Sequence, residues 1–132
     1  MQSFHDGTLR SIGTEEKRAV LGLTTSDGKQ FELRLDAVYS LQAEDFRQGN
    51  IISAVSIISG KQPEWVDLND RLERLYPSPH EKAAKEHHDR HAEFLRGVLA
   101  RIEAGEAAMV IVEPSYGCDL VAVCGTVELV SA

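Results

Sequence analysis

Three of the five histidines in this chain of 132 residues lie close together in the segment 86–91, which reads EHHDRH. His87 and His91 are four positions apart. On a helix this spacing lets two imidazoles bind the same zinc ion. A zinc site would need one or two further ligands, and the remaining candidates are His88, His80 and His5. We assign no metal and no catalytic residue. We treat His87, His91, His88 and His80 as a candidate face for a ligand or a metal.

Two other interpretations of these histidines remain open. They could cover a margin of the core and hydrogen-bond to strand side chains, backbone or water, because histidine is intermediate in burial. Alternatively, one of them could serve as a general base or proton shuttle, since its pKa lies near neutrality. The spacing of the chain places no paired nucleophile or orienting carboxylate beside them.

The histidines lie in the first half of a predicted helix over residues 79–104. Ser78 is a suitable N-cap, Pro79 suits the first helical position, and Glu81 completes a Ser-x-x-Glu capping box. Gly105 is a natural stop for the helix. At about 100° per residue, the histidines fall on or beside the apolar stripe, and the charged side chains fall opposite. We therefore expect the histidines to point inward.

The other elements are predicted mainly as strands. Asp27-Gly28 between two apolar runs indicates a hairpin. It is followed by strict alternation over residues 31–36 and a further strand over residues 37–42. A shorter helix is expected at about residues 65–76. The fold class is therefore predicted as a single α+β domain over residues 1–132. Its mostly antiparallel sheet would have about six to seven strands, with both helices, at about 65–76 and 79–104, packed on one side.

Composition narrows the function classes. The formal net charge is −7 and the basic residues form no stripe, which argues against nucleic-acid binding. The N-terminus has no signal-peptide pattern, and the apolar runs are too short to span a bilayer. Cys118 and Cys124 would lie about 20 Å apart on one strand, too far for a disulfide. Reduced thiols favour a cytoplasmic location.

The first half of the chain resembles small bacterial domains of unknown function that begin with a Phe-His-Asp motif. Some of these are grouped with immunity proteins of toxin systems. The resemblance covers about residues 4–58 and depends on Phe4-His5-Asp6-Gly7, on Asp27-Gly28 and on the segment 45–52. It implies an antiparallel start and a protein-binding role, and it assigns no catalytic residue.

These observations predict a non-enzymatic bacterial module that binds another protein or associates with itself. An immunity-type partner would be one case, because an acidic inhibitor can complement a basic nuclease. The alternative is a metal-dependent or histidine-assisted enzyme that uses the histidine-bearing face of the long helix. We expect no cofactor under the first hypothesis and zinc as the candidate under the second.

Overall fold

Residues 2–132, which the computed structural model describes, form six strands and two helices. In chain order these are β1 (Thr8–Glu15), β2 (Arg18–Thr24), β3 (Gln30–Glu44), β4 (Asn50–Ile58), α1 (Asn69–Leu75), α2 (Lys85–Glu103), β5 (Ala108–Tyr116) and β6 (Asp119–Ser131). The hairpin predicted at Asp27-Gly28 is confirmed between β2 and β3, and Gly28 has a φ of 89°. Glycine adopts this left-handed conformation without the steric penalty of a side chain.

The six strands close into an antiparallel barrel in the order β1-β2-β3-β6-β5-β4. β1 and β4 complete the ring through Thr8 opposite Ile51 and Leu9 opposite Asn50. The predicted α+β sheet with both helices packed on one side is therefore wrong. Alternation of apolar and polar residues identifies a strand with one buried face, but it does not show whether the outermost strands meet each other.

The two strands predicted over residues 31–36 and 37–42 are one continuous strand, β3. Its first half pairs with β2, and it pairs with β6 along most of its length. Ala37 has a positive φ of 51°, and the register with β6 shifts between Val38 and Ser40. An irregularity of this kind bends a strand without ending it, which allows β3 to curve around the barrel.

β5 contributes to two separate apolar cores because its side chains alternate. Val110 and Val112 belong to the core inside the barrel. Met109 and Ile111 belong to a second cluster outside it, built from the helices and the outward side chains of β5 and β6. The helices therefore lie against a limited part of the barrel's outer surface.

α1 is shorter than the predicted helix over residues 65–76. Leu72 and Leu75 are buried in the outer core, as their spacing indicated. Trp65 lies in a turn before the helix and is 84% exposed. Apolar residues with helical spacing thus extend beyond the segment that is helical.

α2 begins at Lys85 instead of at residue 79, so the predicted capping box is wrong. The hydroxyl and backbone N–H of Ser78 donate to the Glu73 carboxylate, at 2.7 Å and 3.1 Å from Oε2. Ser78 therefore binds α1, while the N-cap of α2 is Ala84 without a side-chain hydrogen bond. Among the described residues, no helix is long and apolar enough to cross a membrane.

Asn50 holds the closing seam of the barrel together. Its side chain is buried, and Nδ2 donates to the carbonyl of Leu9 at 3.0 Å. Oδ1 accepts from the backbone N–H groups of Arg47 at 2.8 Å and Cys118 at 3.0 Å. Gly117, with a φ of 91°, makes room for this amide, since a Cβ there would lie 2.3 Å from Oδ1. One side chain thus joins β1, the β3–β4 turn and the β5–β6 turn.

Candidate binding cleft

The four candidate histidines occupy different environments. His88 and His91 are partly buried on the inner side of α2, together with Leu95 and Val98 further along the helix. His87 is exposed. His80 lies outside the helix, also exposed, and its Nδ1 accepts a hydrogen bond from the backbone N–H of Lys82 at 3.1 Å. The structure thus does not bring the four imidazoles onto one face.

His91 has a defined hydrogen-bond partner. Its Nε2 lies 2.7 Å from the carbonyl oxygen of Tyr76, just after α1. Because a carbonyl only accepts, Nε2 carries the proton in this interaction. The bond ties α2 to the chain that follows α1.

Residues 2–132 contain no group of three or more histidine, cysteine, aspartate or glutamate side chains placed to hold a metal ion. His5 lies in the N-terminal turn, where its Nδ1 is 3.0 Å from the carbonyl of Ser53. The zinc hypothesis stays a prediction. Elemental analysis of the purified protein beside a His87→Ala/His91→Ala double variant would test it.

A cleft of about 430 Å³ lies between α2 and the outer surface of the barrel. This volume falls within the range of roughly 300–1,000 Å³ that is typical of ligand pockets. Its lining comes from β3, α2 and β6 and from the residues just after α1 and just before β5, and it consists of Tyr39, Tyr76, Phe94, Gly97, Val98, Arg101, Ala107 and Val123. We call this feature the aromatic cleft.

Three aromatic rings form the wall of the aromatic cleft. Tyr76 and Phe94 pack edge to face, with ring centroids 4.9 Å apart and an interplanar angle of 79°. This geometry is a favourable one for aromatic pairs. Tyr39 and Phe94 are each 51% exposed, so they form an open rim. By its position in the sequence Phe94 belongs to the apolar stripe of the helix, but its ring faces the cleft and solvent.

Among the described residues that line the aromatic cleft, Arg101 is the one charged residue. Its guanidinium carbon lies 5.4 Å from the centroid of the Tyr39 ring, within the range of a cation–π interaction. Among the ion pairs of the described residues, none includes Arg101. Burial raises the pKa of the Tyr76 phenol, while the charge of Arg101 acts in the opposite direction. The phenol is therefore neutral at pH 7 and can donate a hydrogen bond.

Gly97 keeps one side of the aromatic cleft open. It lies in the interior of α2, where glycine is about 1 kcal/mol less favourable than alanine. A Cβ built at this position would meet nothing within 4 Å. The space above Gly97 therefore belongs to the cleft, and a longer side chain would project into it.

The lining of the aromatic cleft consists of tyrosine, arginine, glycine and apolar side chains among the described residues. Such side chains can hold a ligand that is mostly apolar and has a polar group at one point.

A second group of exposed apolar side chains lies near the barrel seam. Ile51 and Tyr116 pair across β4 and β5, and Phe46 precedes β4. Arg47 lies over the Tyr116 ring at 5.9 Å. None of these residues lines the aromatic cleft. They therefore provide matched controls for substitutions in the cleft.

No direct signal for the aromatic cleft is present in the sequence. Tyr39 and Arg101 are more than sixty positions apart, and only the tertiary fold brings them together. Gly97 was an available indication, because glycine in the interior of a helix is about 1 kcal/mol less favourable than alanine.

Comparisons of the chain with protein-family models, with curated proteins and with solved structures find no match. The resemblance of residues 4–58 to domains with a Phe-His-Asp motif thus stays a prediction.

Proposed function

We propose that this chain is a non-enzymatic protein-binding module that holds an apolar side chain of its partner in the aromatic cleft. The observation that carries the proposal is the cleft of about 430 Å³ with Tyr39, Tyr76 and Phe94 around it. Aromatic side chains next to a pocket supply much of the binding energy of protein interfaces. Their rings offer large contact areas at a small cost in side-chain entropy.

The solvent exposure of the rim residues Tyr39 and Phe94 supports a protein partner. Half of the Tyr39 and Phe94 side chains is open to solvent, so a bound segment would remove apolar surface from water on both sides of the cleft. Each 100 Å² of apolar area removed from water contributes about 2.5 kcal/mol before the costs of association are subtracted.

The proposal includes a bacterial, cytoplasmic setting. Cys118 and Cys124 are both buried and unpaired, and free thiols are typical of a reducing compartment. The net charge of −7 would favour the encounter with a basic protein, as an immunity-type partner would require.

Affinity capture with matched variants tests this function. The purified chain, a Phe94→Ser variant and a Phe46→Ser variant are each coupled to a resin and exposed to lysate of the source cells. Phe46 is 46% exposed and Phe94 51%, so the two substitutions remove similar exposed rings. We expect one protein, identified by mass spectrometry, to be retained by the unmodified chain and by Phe46→Ser, and its yield on Phe94→Ser to fall at least tenfold. Equal retention by all three resins would contradict the proposal.

A further inference from the structure

We infer that the partner segment carries a carboxylate next to its apolar side chain, and that Arg101 binds this carboxylate. The inference rests on the proposed function and specifies the chemistry of the occupant. The apolar side chain would lie against Phe94 and Val98, above Gly97. The carboxylate would lie where Arg101 meets Tyr39.

The aromatic cleft combines two kinds of chemistry. Phe94, Val98 and Val123 offer only carbon surfaces. Arg101 follows Phe94 by about two turns of α2, and its guanidinium lies over the Tyr39 ring. An occupant that matches both parts is apolar on one side and accepts hydrogen bonds on the other.

The stacking of Arg101 leaves its hydrogen-bond donors free. A cation–π interaction uses the face of the guanidinium, whereas its N–H groups point outward in the plane. The described residues offer these groups no ion-pair partner. A carboxylate can accept two parallel N–H bonds from this arrangement, which a neutral amide does not match in strength.

The net negative charge of the whole chain is compatible with the binding of a carboxylate at Arg101. Screening limits interactions between exposed charges to about 8 Å at physiological salt. The lining residues of the aromatic cleft contribute one positive charge and no negative one. A protein that is basic overall can therefore approach through the net charge and still dock through a segment that contains a carboxylate.

Peptide titrations followed by NMR test the inference. Two matched sets of blocked tetrapeptides, acetyl-Ala-X-Glu-Ala-amide and acetyl-Ala-X-Gln-Ala-amide with X as Leu, Ile, Phe or Tyr, are added to the ¹⁵N-labelled chain. The same titrations are made with Arg101→Gln and Arg101→Lys. A further titration uses 3-phenylpropionate, a small acid with the same two groups. The amide signals of Gly97 and Val98 report on the aromatic cleft.

We expect the tightest Glu peptide to bind about threefold to tenfold more tightly than its Gln counterpart. The ratio should fall to about one in Arg101→Gln and be partly retained in Arg101→Lys, which keeps the charge but loses the planar fork. Equal binding of Glu and Gln peptides would overturn the inference and leave the proposed function standing. Tighter binding of 3-phenylpropionate than of every peptide would overturn the choice of a protein segment. If no peptide perturbs the cleft signals, both the inference and the proposed function fail.

Discussion

The Nε2 atom of His91 lies 2.7 Å from the carbonyl oxygen of Tyr76, and the Tyr76 ring packs edge to face on Phe94. Phe94 is three residues after His91, so both contacts come from neighbouring turns of α2. A histidine that the sequence suggested as a ligand or base thus positions one wall of the aromatic cleft. The two interactions together fix the end of α1 relative to α2.

Substitution of His91 should lower stability, whereas substitution of His87 should not. His91→Ala removes the partner of a partly buried carbonyl and should lower the free energy of unfolding by about 1 kcal/mol. His87 is exposed, and His87→Ala should change it by less than about 0.5 kcal/mol. Urea denaturation of both variants measures the difference. Equal losses would show that the bond to Tyr76 contributes nothing.

Gly97 allows the aromatic cleft to be filled without disturbing the core. Gly97→Ala should stabilise the chain by about 0.5–1 kcal/mol, because alanine is the better helix residue and its Cβ meets no atom within 4 Å. Gly97→Leu should retain the fold and block the cleft. Thermal unfolding measures the stability of both variants, and the peptide titrations then measure their binding. A destabilising Gly97→Ala, or peptide binding that is unchanged in Gly97→Leu, would contradict the open space assigned to this position.

Asn50 should be among the least replaceable residues of the barrel. Asn50→Ala leaves the Leu9 carbonyl and two backbone N–H groups without their partner, and unsatisfied buried groups are costly. We expect a loss of roughly 3 kcal/mol in the free energy of unfolding. Denaturant titration measures it. A loss below about 1 kcal/mol would mean that water replaces the amide at the seam.

The thiol of Cys124 gives an alkaline pH dependence of stability. Burial, and secondarily the nearby Asp36 charge, raises its pKa from 9.0 to about 11. The unfolded thiol then loses its proton at lower pH than the folded one. Its contribution to stability is present below pH 9 and is lost as the pH rises toward 11. Between these values, Cys124→Ala should lose less stability than the unmodified chain in chemical denaturation. Parallel losses would contradict the raised pKa.

The sequence predicted those parts of the fold that depend on local pattern. The Asp27-Gly28 hairpin follows from the backbone freedom of its residues, and Leu33 and Leu35 alternate into the barrel core as period two requires. The closure of the strands into a barrel was not predictable from local pattern. It depends on Thr8 and Leu9 meeting Ile51 and Asn50, a pairing over about forty positions that no local pattern encodes.

The predicted start of α2 was wrong for a different physical reason. Ser78 has the residue type and spacing of an N-cap, but the carboxylate of Glu73 offers its hydroxyl and N–H a stronger, charge-assisted partner. Among the candidate histidines, only the predicted inward direction of His80 depended on that start. With the helix beginning at Lys85, His80 is left in the preceding loop.

Photocrosslinking from the rim of the aromatic cleft tests the central claim most directly. A benzoylphenylalanine replaces Phe94 in one variant and Phe46 in another, and each is irradiated in the source cells. We predict that position 94 yields a crosslink to one other protein, that position 46 does not, and that adding Gly97→Leu abolishes the crosslink while Gly97→Ala preserves it. A crosslink to a second copy of this chain, or no crosslink from position 94 beyond that from position 46, would contradict a partner segment in the aromatic cleft.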